Sequence, residues 1–346
     1  MQTRREILQA SSALALTSLL PACTSLSKGG QGQSPNPAAI EEIPRSDYGF
    51  ETTADDVLAG IDLSGKTVML TGCNSGLGYA SLKSLAKAGA HVIGTARTQE
   101  KAETACASVG GKTTPLVCEL TDMDSVQACA GQVMEPVDVL ICNAGIMALP
   151  KLTQVEVNGM QLEKQFVVNH LGHFLLTLQL MPQLLQADSP RVVMVSSMGY
   201  TLAPKGGILF DDLSGDNKYQ AFKNYGQSKL ANILFANELS RRYQGSPLTA
   251  NSIHPGLVST NLGRYMRGDV EGTSKKPDRP LRKGMKTSAQ GASTQVYVAT
   301  DPRLADVTGY YFADCNPEAY EGEYATDPAL ASLLWRVSEE IVAPWL

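Results

Sequence analysis

Tyr225 and Lys229 stand four residues apart in "NYGQSKLANILFANELSRR", a spacing that puts both side chains on one face of a helix. A phenol ionises at about pH 10, and a neighbouring ammonium favours the phenolate, so such a pair moves a tyrosine toward acid/base work near neutrality. An isolated Tyr-x-x-x-Lys also occurs on exposed helices. Here the helix follows a strand, "RVVMVSS", that ends in Ser196 and Ser197, on the predicted catalytic edge of a sheet. Earlier in the chain, "TVMLTGCNSGLGYASLKSLAKAGA" sets Gly72, Gly76 and Gly78 between a first strand and a first helix. Glycines there allow a tight turn and close backbone approach to a pyrophosphate, whose charge the helix N-terminus favours. The second strand region reads "HVIGTARTQEK" and ends without an acid, with Arg97 immediately after it. A carboxylate at that place would bind ribose hydroxyls and repel a 2'-phosphate, whereas a guanidinium suits the phosphate. The favoured cofactor is NADP(H), with NAD(H) as the alternative.

These residues need a scaffold that brings strand ends together. Short β-rich apolar runs alternate with helical stretches: "KTVMLTG", a helix over about 76–89, "AHVIGTA", a helix near 99–108, "TPLVCEL", a helix near 123–133, and "VDVLICNAG". The second half continues with a long helix near 158–186, "RVVMVSS", a helix near 225–243 and "LTANSIHPG". Strands apolar on both faces that alternate with helices imply a parallel sheet covered on both sides. The expected fold class is α/β, a single doubly wound Rossmann-type domain over residues 56–346. A polar, Gly- and Pro-rich segment at 262–287 interrupts the pattern and is expected to form a flap over the substrate.

Taken in order, "TGCNSGLG", "CNAG" at 142–145, "NHLGHFLLT" from Asn169, "VSS" ending at Ser197, "YGQSK" at 225–229 and "HPGLVST" at 254–260 resemble the short-chain dehydrogenase/reductase family, from about residue 64 to the C-terminus. "NYGQSKLANILFANELSRR" and "ALASLLWRVSEE" resemble its branch of retinol dehydrogenases and protochlorophyllide-reductase-like enzymes. The resemblance implies an oxidoreductase interconverting a carbonyl and an alcohol. In it Tyr225 exchanges the proton at the substrate oxygen, Lys229 holds the nicotinamide ribose and tunes Tyr225, Ser197 hydrogen-bonds the carbonyl, and Asn169 carries a proton relay with Lys229. Ser196 is read as a structural strand residue. His170 and His173, on the helix of Asn169, are given no catalytic role.

By the same resemblance Asn74, Ser75 and Leu77 join the glycines in the cofactor loop, and Glu119 and Leu120 replace the usual Asp-Leu or Asp-Val beside the adenine. Asn143, Ala144 and Gly145 pass beneath the adenosine half, while Pro255, Val258 and Thr260 border the nicotinamide. The 28 residues from Ser197 to Tyr225, together with the 262–287 flap, suggest a pocket for a medium-to-large apolar carbonyl such as a steroid-like, isoprenoid or long-chain compound. A non-catalytic NADP(H)-binding sensor with the same fold is the competing reading, although it would need none of the acid/base set.

The composition narrows the partners. Twenty-nine Lys and Arg against 34 Asp and Glu give a formal charge of −5, with no basic cluster of the kind that binds nucleic acid. Seven cysteines, Cys23, Cys73, Cys106, Cys118, Cys129, Cys142 and Cys315, show no C-x-x-C and no pairing with the four histidines, so no metal site is expected. They read as buried apolar residues, with one pairing left open for an oxidising compartment. The apolar run from Ile7 to Leu20 is too short and too broken to span a bilayer. "TRREILQ" resembles the twin-arginine export signal and "LPAC" at 20–23 a lipoprotein cleavage box. Residues 1–22 are therefore expected to be an export signal and 23–55 a flexible linker, with a lipid anchor at Cys23 and a periplasmic location; a cytoplasmic enzyme is the alternative. A homo-oligomer is allowed for.

Overall fold

The computed structural model describes residues 37–260, 262 and 283–346. The expected signal, Cys23 and most of the expected flap lie outside the described residues.

Five short runs, apolar except for the last, become the central strands, buried on both faces: β1 (Thr67–Thr71), β2 (His91–Ala96), β4 (Val139–Cys142), β7 (Arg191–Val195) and β8 (Thr249–His254), with β3 (Thr113–Val117) less buried at one edge. Among the described residues they join β9 (Tyr311–Ala313) and β10 (Asn316–Glu318) in an eight-stranded sheet, in the order β3, β2, β1, β4, β7, β8, β9, β10. All neighbours are parallel except the antiparallel β9 and β10. Val68 of β1 faces Val92 of β2 and Val139 of β4. Strand order therefore reverses beside β1, which opens a crevice at the C-terminal ends of β1 and β4.

Alternation along the strands sends side chains into two separate cores. Met69, Leu140, Val192 and Met194 face α3 (Met123–Ala130), α4 (residues 164–179), α5 (Ala221–Arg242) and α7 (Pro328–Val342). Val68, Leu70, Ile141 and Val193 face α1 (Gly76–Lys87), α2 (Gln99–Ala107) and α6 (Ser288–Thr300). Period-2 strands with a core on each side account for the apolar runs. Helix α5 is buried without a break from Tyr225 to Leu239. It is covered by α7, whose Trp335 meets Phe174 and Phe235 with ring centroids 5.1 and 5.7 Å apart, while the Arg242 guanidinium caps that indole at 4.2 Å.

Two expectations need correction, for the long helix and for the linker. The long helix expected over 158–186 starts only at Lys164. Before it, β5 (Gln154–Val157) and β6 (Met160–Glu163) form a separate hairpin closed by Asn158 and Gly159 at φ +49° and +73°, the two left-handed residues that a two-residue hairpin turn demands. The insertion after Ser197 is anchored by Tyr200, Ile208 and Leu213 in the core and by the Leu213 carbonyl accepting from Glu163 N–H, while Met198, Leu202 and Phe222 stay exposed. The linker expected up to residue 55 is already part of the fold from Ile43. Ile43 and Tyr48 pack on the second core, Ser46 Oγ donates to the Cys315 carbonyl at 2.7 Å, and Asn316 Nδ2 donates to the Tyr48 carbonyl at 3.0 Å. Side-chain to backbone hydrogen bonds with the β9–β10 turn fix this strap, and composition does not reveal it. The six described cysteines are buried thiols without disulfides. Among the described residues no helix is long and apolar enough to cross a membrane.

Candidate active site

The glycine loop is built by conformation and by crowding. Gly72 and Gly76 adopt φ of +71° and +55°, values that side chains penalise. Gly78 has an ordinary φ, but a Cβ there would lie 2.1 Å from the Gly72 carbonyl oxygen and 2.6 Å from Asn143 Nδ2. The first turn of α1 can therefore close onto the end of β1 only with glycine. Ser75 caps α1 in an extended conformation and makes no side-chain hydrogen bond to the helix, which leaves the first amides of α1 for an anion. Thr71 Oγ1 accepts from the N–H groups of Asn143 and Ala144, both at 2.9 Å, and Asn143 Nδ2 donates to the Thr71 carbonyl at 2.7 Å. These bonds lock the ends of β1 and β4 together.

The crevice has a volume of about 740 Å³. Its walls hold Gly72, Asn74, Ser75, Gly76, Leu77 and Gly78 at the loop, Arg97, Glu119 and Leu120 at the ends of β2 and β3, Asn143, Ala144 and Gly145 after β4, and Pro255, Val258 and Thr260 after β8. Ser197, Tyr225 and Lys229 line the same crevice. Uncapped helix amides, a glycine cradle and cationic Arg97 and Lys101 on the wall form a donor set that fits a dinucleotide. The Glu119 carboxylate accepts through Oε1 from Thr121 N–H at 3.1 Å and Thr121 Oγ1 at 2.9 Å, while the residue stays on the crevice wall. Thr71 and Lys101 were not among the residues expected. Position alone, at the end of β1 and one turn after Arg97, was their signal.

Ser197 lies just past the end of β7 in extended conformation, its Oγ accepting from Gly199 N–H at 3.0 Å and standing beside the Tyr225 ring over Gly199. Gly199 makes room for the tyrosine, since a Cβ there would stand 2.9 Å from the Tyr225 ring. One turn further along α5, Lys229 Nζ donates to the Val195 carbonyl at 2.9 Å and lies 5.8 Å from the Tyr225 ring centroid. Adjacent Ser196 sends its Oγ to the Lys229 carbonyl at 2.7 Å, a bond within the scaffold.

The electrostatics depart from the sequence expectation. Burial pushes the Tyr225 phenol up to about 12, against a smaller lowering by Ser197, and burial pushes Lys229 down to about 7. The ammonium is aimed at a carbonyl instead of the phenol oxygen, so desolvation outweighs its pull on Tyr225.

Asn169 occupies a π-helical turn (Val167–Leu171) within α4, the kind of irregularity often found at functional sites. Its Oδ1 accepts from Ile146 N–H at 2.9 Å, and its Nδ2 donates to the Ile146 carbonyl at 3.0 Å and Ser228 Oγ at 2.8 Å. Asn169 thus holds the loop after β4 and the residue before Lys229. It is not on the crevice wall and is tied to the lysine's helix instead of its ammonium. His173 bonds Thr71 Oγ1 at 2.8 Å and the Asn169 carbonyl at 3.0 Å, and His170 bonds Ser338 Oγ at 2.8 Å. Burial lowers the two rings to about 4 and about 3, so both are neutral packing residues. Among the described residues no group of three His, Cys, Asp or Glu side chains could hold a metal.

Residues 66–271 match the family model for short chain dehydrogenases. The chain is 38% identical over 313 residues to short-chain dehydrogenase TIC 32 A, chloroplastic, of Brassica napus, covering 86% of this chain and 95% of that protein. It is 40% identical over 304 residues to retinol dehydrogenase 14 of Homo sapiens, covering 81% and 87%. An uncharacterized protein from Mycobacterium Paratuberculosis, known by its crystal structure, aligns with a TM-score of 0.66 at 32% identity, covering 85% of this chain and 98% of that one.

Proposed function

Because the chain belongs to the short-chain dehydrogenase/reductase family, a family of NAD(P)-binding oxidoreductases acting on CH–OH and C=O groups, we propose that it is an NADP(H)-dependent carbonyl reductase or alcohol dehydrogenase for medium-to-large apolar substrates, with Tyr225 as its general acid/base. The observation that carries this reading is that Ser197 and Tyr225 meet over Gly199, with Lys229 one turn on, in the crevice that begins at the glycine loop.

The chain's residues divide the work. The amides at the start of α1 and Gly72, Gly76 and Gly78 would hold the pyrophosphate, Asn143, Ala144 and Gly145 would serve the adenosine half, and Pro255, Val258 and Thr260 would serve the nicotinamide. When bound, the nicotinamide supplies or accepts the hydride. In reduction Ser197 and Tyr225 point their hydroxyls at the substrate oxygen, and Tyr225 gives its proton to it. A phenol of pKa about 12 is fully protonated at neutral pH and yields its proton only to an oxygen that gains negative charge. Lys229 then stands one helical turn from the phenolate and stabilises it. Asn169 keeps Ile146 and Ser228 in place around this centre.

The NADP(H) preference is supported by Arg97, exposed at the end of β2, by Lys101 on the crevice wall, and by the lack of an acid at that strand end. The substrate class is supported by apolar side chains left exposed around the catalytic pair. Met198 follows Ser197, Phe222 precedes Tyr225 by one turn, Leu202 abuts Gly226, and Leu257 lies on the crevice wall. A relative named as a retinol dehydrogenase points the same way. A panel of retinal, long-chain aldehydes and steroid ketones, each assayed with NADPH and with NADH, tests the function. No turnover of any member with either cofactor would overturn it.

For location we propose export by the twin-arginine route and lipid anchoring at Cys23, supported by "TRREILQ" and "LPAC".

A further inference from the structure

His254 ends β8 and faces the turn that carries Ser197. Its Nδ1 lies 3.2 Å from the backbone N–H of Met198, the residue after Ser197. An N–H can only donate, so Nδ1 must be bare and the ring proton must sit on Nε2. Behind it stands Lys286, a fully buried lysine whose ammonium is paired with Asp314 and lies 5.3 Å from the Phe50 ring centroid. Its aliphatic stem packs on Gly256, where a Cβ would fall 2.9 Å from Cδ. Its backbone is bonded to both sides of the 257–259 loop, from Lys286 N–H to the Leu257 carbonyl at 2.7 Å and from Ser259 N–H to the Lys286 carbonyl at 2.9 Å. Asp314 reaches it from the β9–β10 turn, where Asp314 and Cys315 adopt φ of +48° and +59°, a conformation that costs energy for residues other than glycine.

We propose that His254 is a positioning residue for Ser197, anchoring the Ser197 turn through its bare, buried Nδ1, and that Lys286 offsets the pull of Asp314 on that ring. The inference rests on the reading of Ser197 as the hydroxyl that orients the carbonyl. Among the described residues the charged groups acting on His254 are Asp314, which raises its pKa, and Lys286, which lowers it; burial is the largest influence and holds the ring down to about 4. Loss of the lysine therefore leaves an uncompensated carboxylate beside the imidazole and favours protonation. A protonated Nδ1 can no longer accept from Met198.

The test is imidazole and amide ¹⁵N NMR on the full-length protein, with the His254→Asn spectrum identifying the His254 signals. In the parent, His254 is the Nε2–H tautomer at pH 7. In Lys286→Met its titration midpoint rises by about one pH unit or more, and in Lys286→Met with Asp314→Asn it returns. His254→Leu exposes the Met198 amide to faster hydrogen exchange, while His254→Asn, whose Oδ1 takes the place of Nδ1, restores protection. With NADPH and the fastest-reduced carbonyl of the panel, kcat falls about tenfold in His254→Leu and recovers in His254→Asn, with the KM for NADPH unmoved. An Nδ1–H tautomer in the parent, a midpoint unmoved by Lys286→Met, or equal behaviour of the Leu and Asn variants overturns the proposal. An inactive panel would overturn the proposed function alone, because the tautomer, midpoint and exchange readouts need no turnover.

Discussion

Ser196 and Lys229 are joined by a 2.7 Å hydrogen bond from the serine hydroxyl to the lysine carbonyl, so the end of β7 and the middle of α5 cannot drift apart. Two neighbouring serines thereby take different tasks: Ser196 ties strand to helix, and Ser197 faces the crevice with Tyr225. The spacing of the reacting hydroxyls is a property of the scaffold.

Tyr225→Phe removes one hydroxyl and no packing. It is expected to bind NADPH as the parent does, by fluorescence titration, and to lose about 10²-fold or more in carbonyl reduction. Retention of more than about a tenth of the rate would contradict the acid/base role.

Arg97→Asp exchanges the cation at the end of β2 for a group that repels a 2'-phosphate and can accept from ribose hydroxyls. NADPH affinity should fall about tenfold or more while NADH affinity is spared or improved. Equal losses for both cofactors would remove Arg97 from the cofactor site.

Gly78→Ala places a methyl 2.1 Å from the Gly72 oxygen, which only backbone movement can relieve. The expected cost is about 1–3 kcal/mol of stability, read as a lower urea midpoint, together with weakened dinucleotide binding. An unchanged midpoint would mean that α1 does not close on β1 as described.

His170 and His173 are buried neutral, lowered to about 3 and about 4, whereas unfolded histidines titrate at about 6.5. As pH falls below about 6.5 the unfolded chain takes up protons that the native rings refuse, so stability is full above that value and is lost toward pH 4. The loss is on the order of 2 kcal/mol per ring at pH 5. Urea midpoints that do not fall between pH 7 and pH 5 would refute it.

Changing Arg4 and Arg5 together to Lys should strand the full-length protein inside the cell. Cys23→Ala should leave export intact and abolish membrane fractionation. Native protein recovered from the cytosol with Met1 attached would end the export proposal.

Most of the sheet was legible because its strands are apolar on both faces and their ends carry the marked residues: Gly72 after β1, Asn143 after β4 and Ser197 after β7 all stand where the spacing put them. The β5–β6 hairpin was also written in the chain, as Asn158-Gly159, but the helical pattern that follows masked it. The β9–β10 turn was not legible, since Asp314-Cys315 carries no glycine to mark its left-handed backbone. The Lys286 and His254 contacts could not be read either. They depend on how β8 lies against β9 and on a bridge between Val258 and Lys286, pairings between distant segments that local pattern does not encode.

The strap around Ser46 sets the timetable of folding. Its hydrogen bond to Cys315 spans 269 positions, and a ribosome adding about 5–20 residues per second needs roughly 13 to 54 s to make that stretch. Throughout that interval the segment near Ser46 has emerged while its docking edge does not yet exist. The strap can therefore close only after synthesis has delivered β9 and β10, and a chain cut short of them would leave Tyr48 and Ile43 without the surface that buries them.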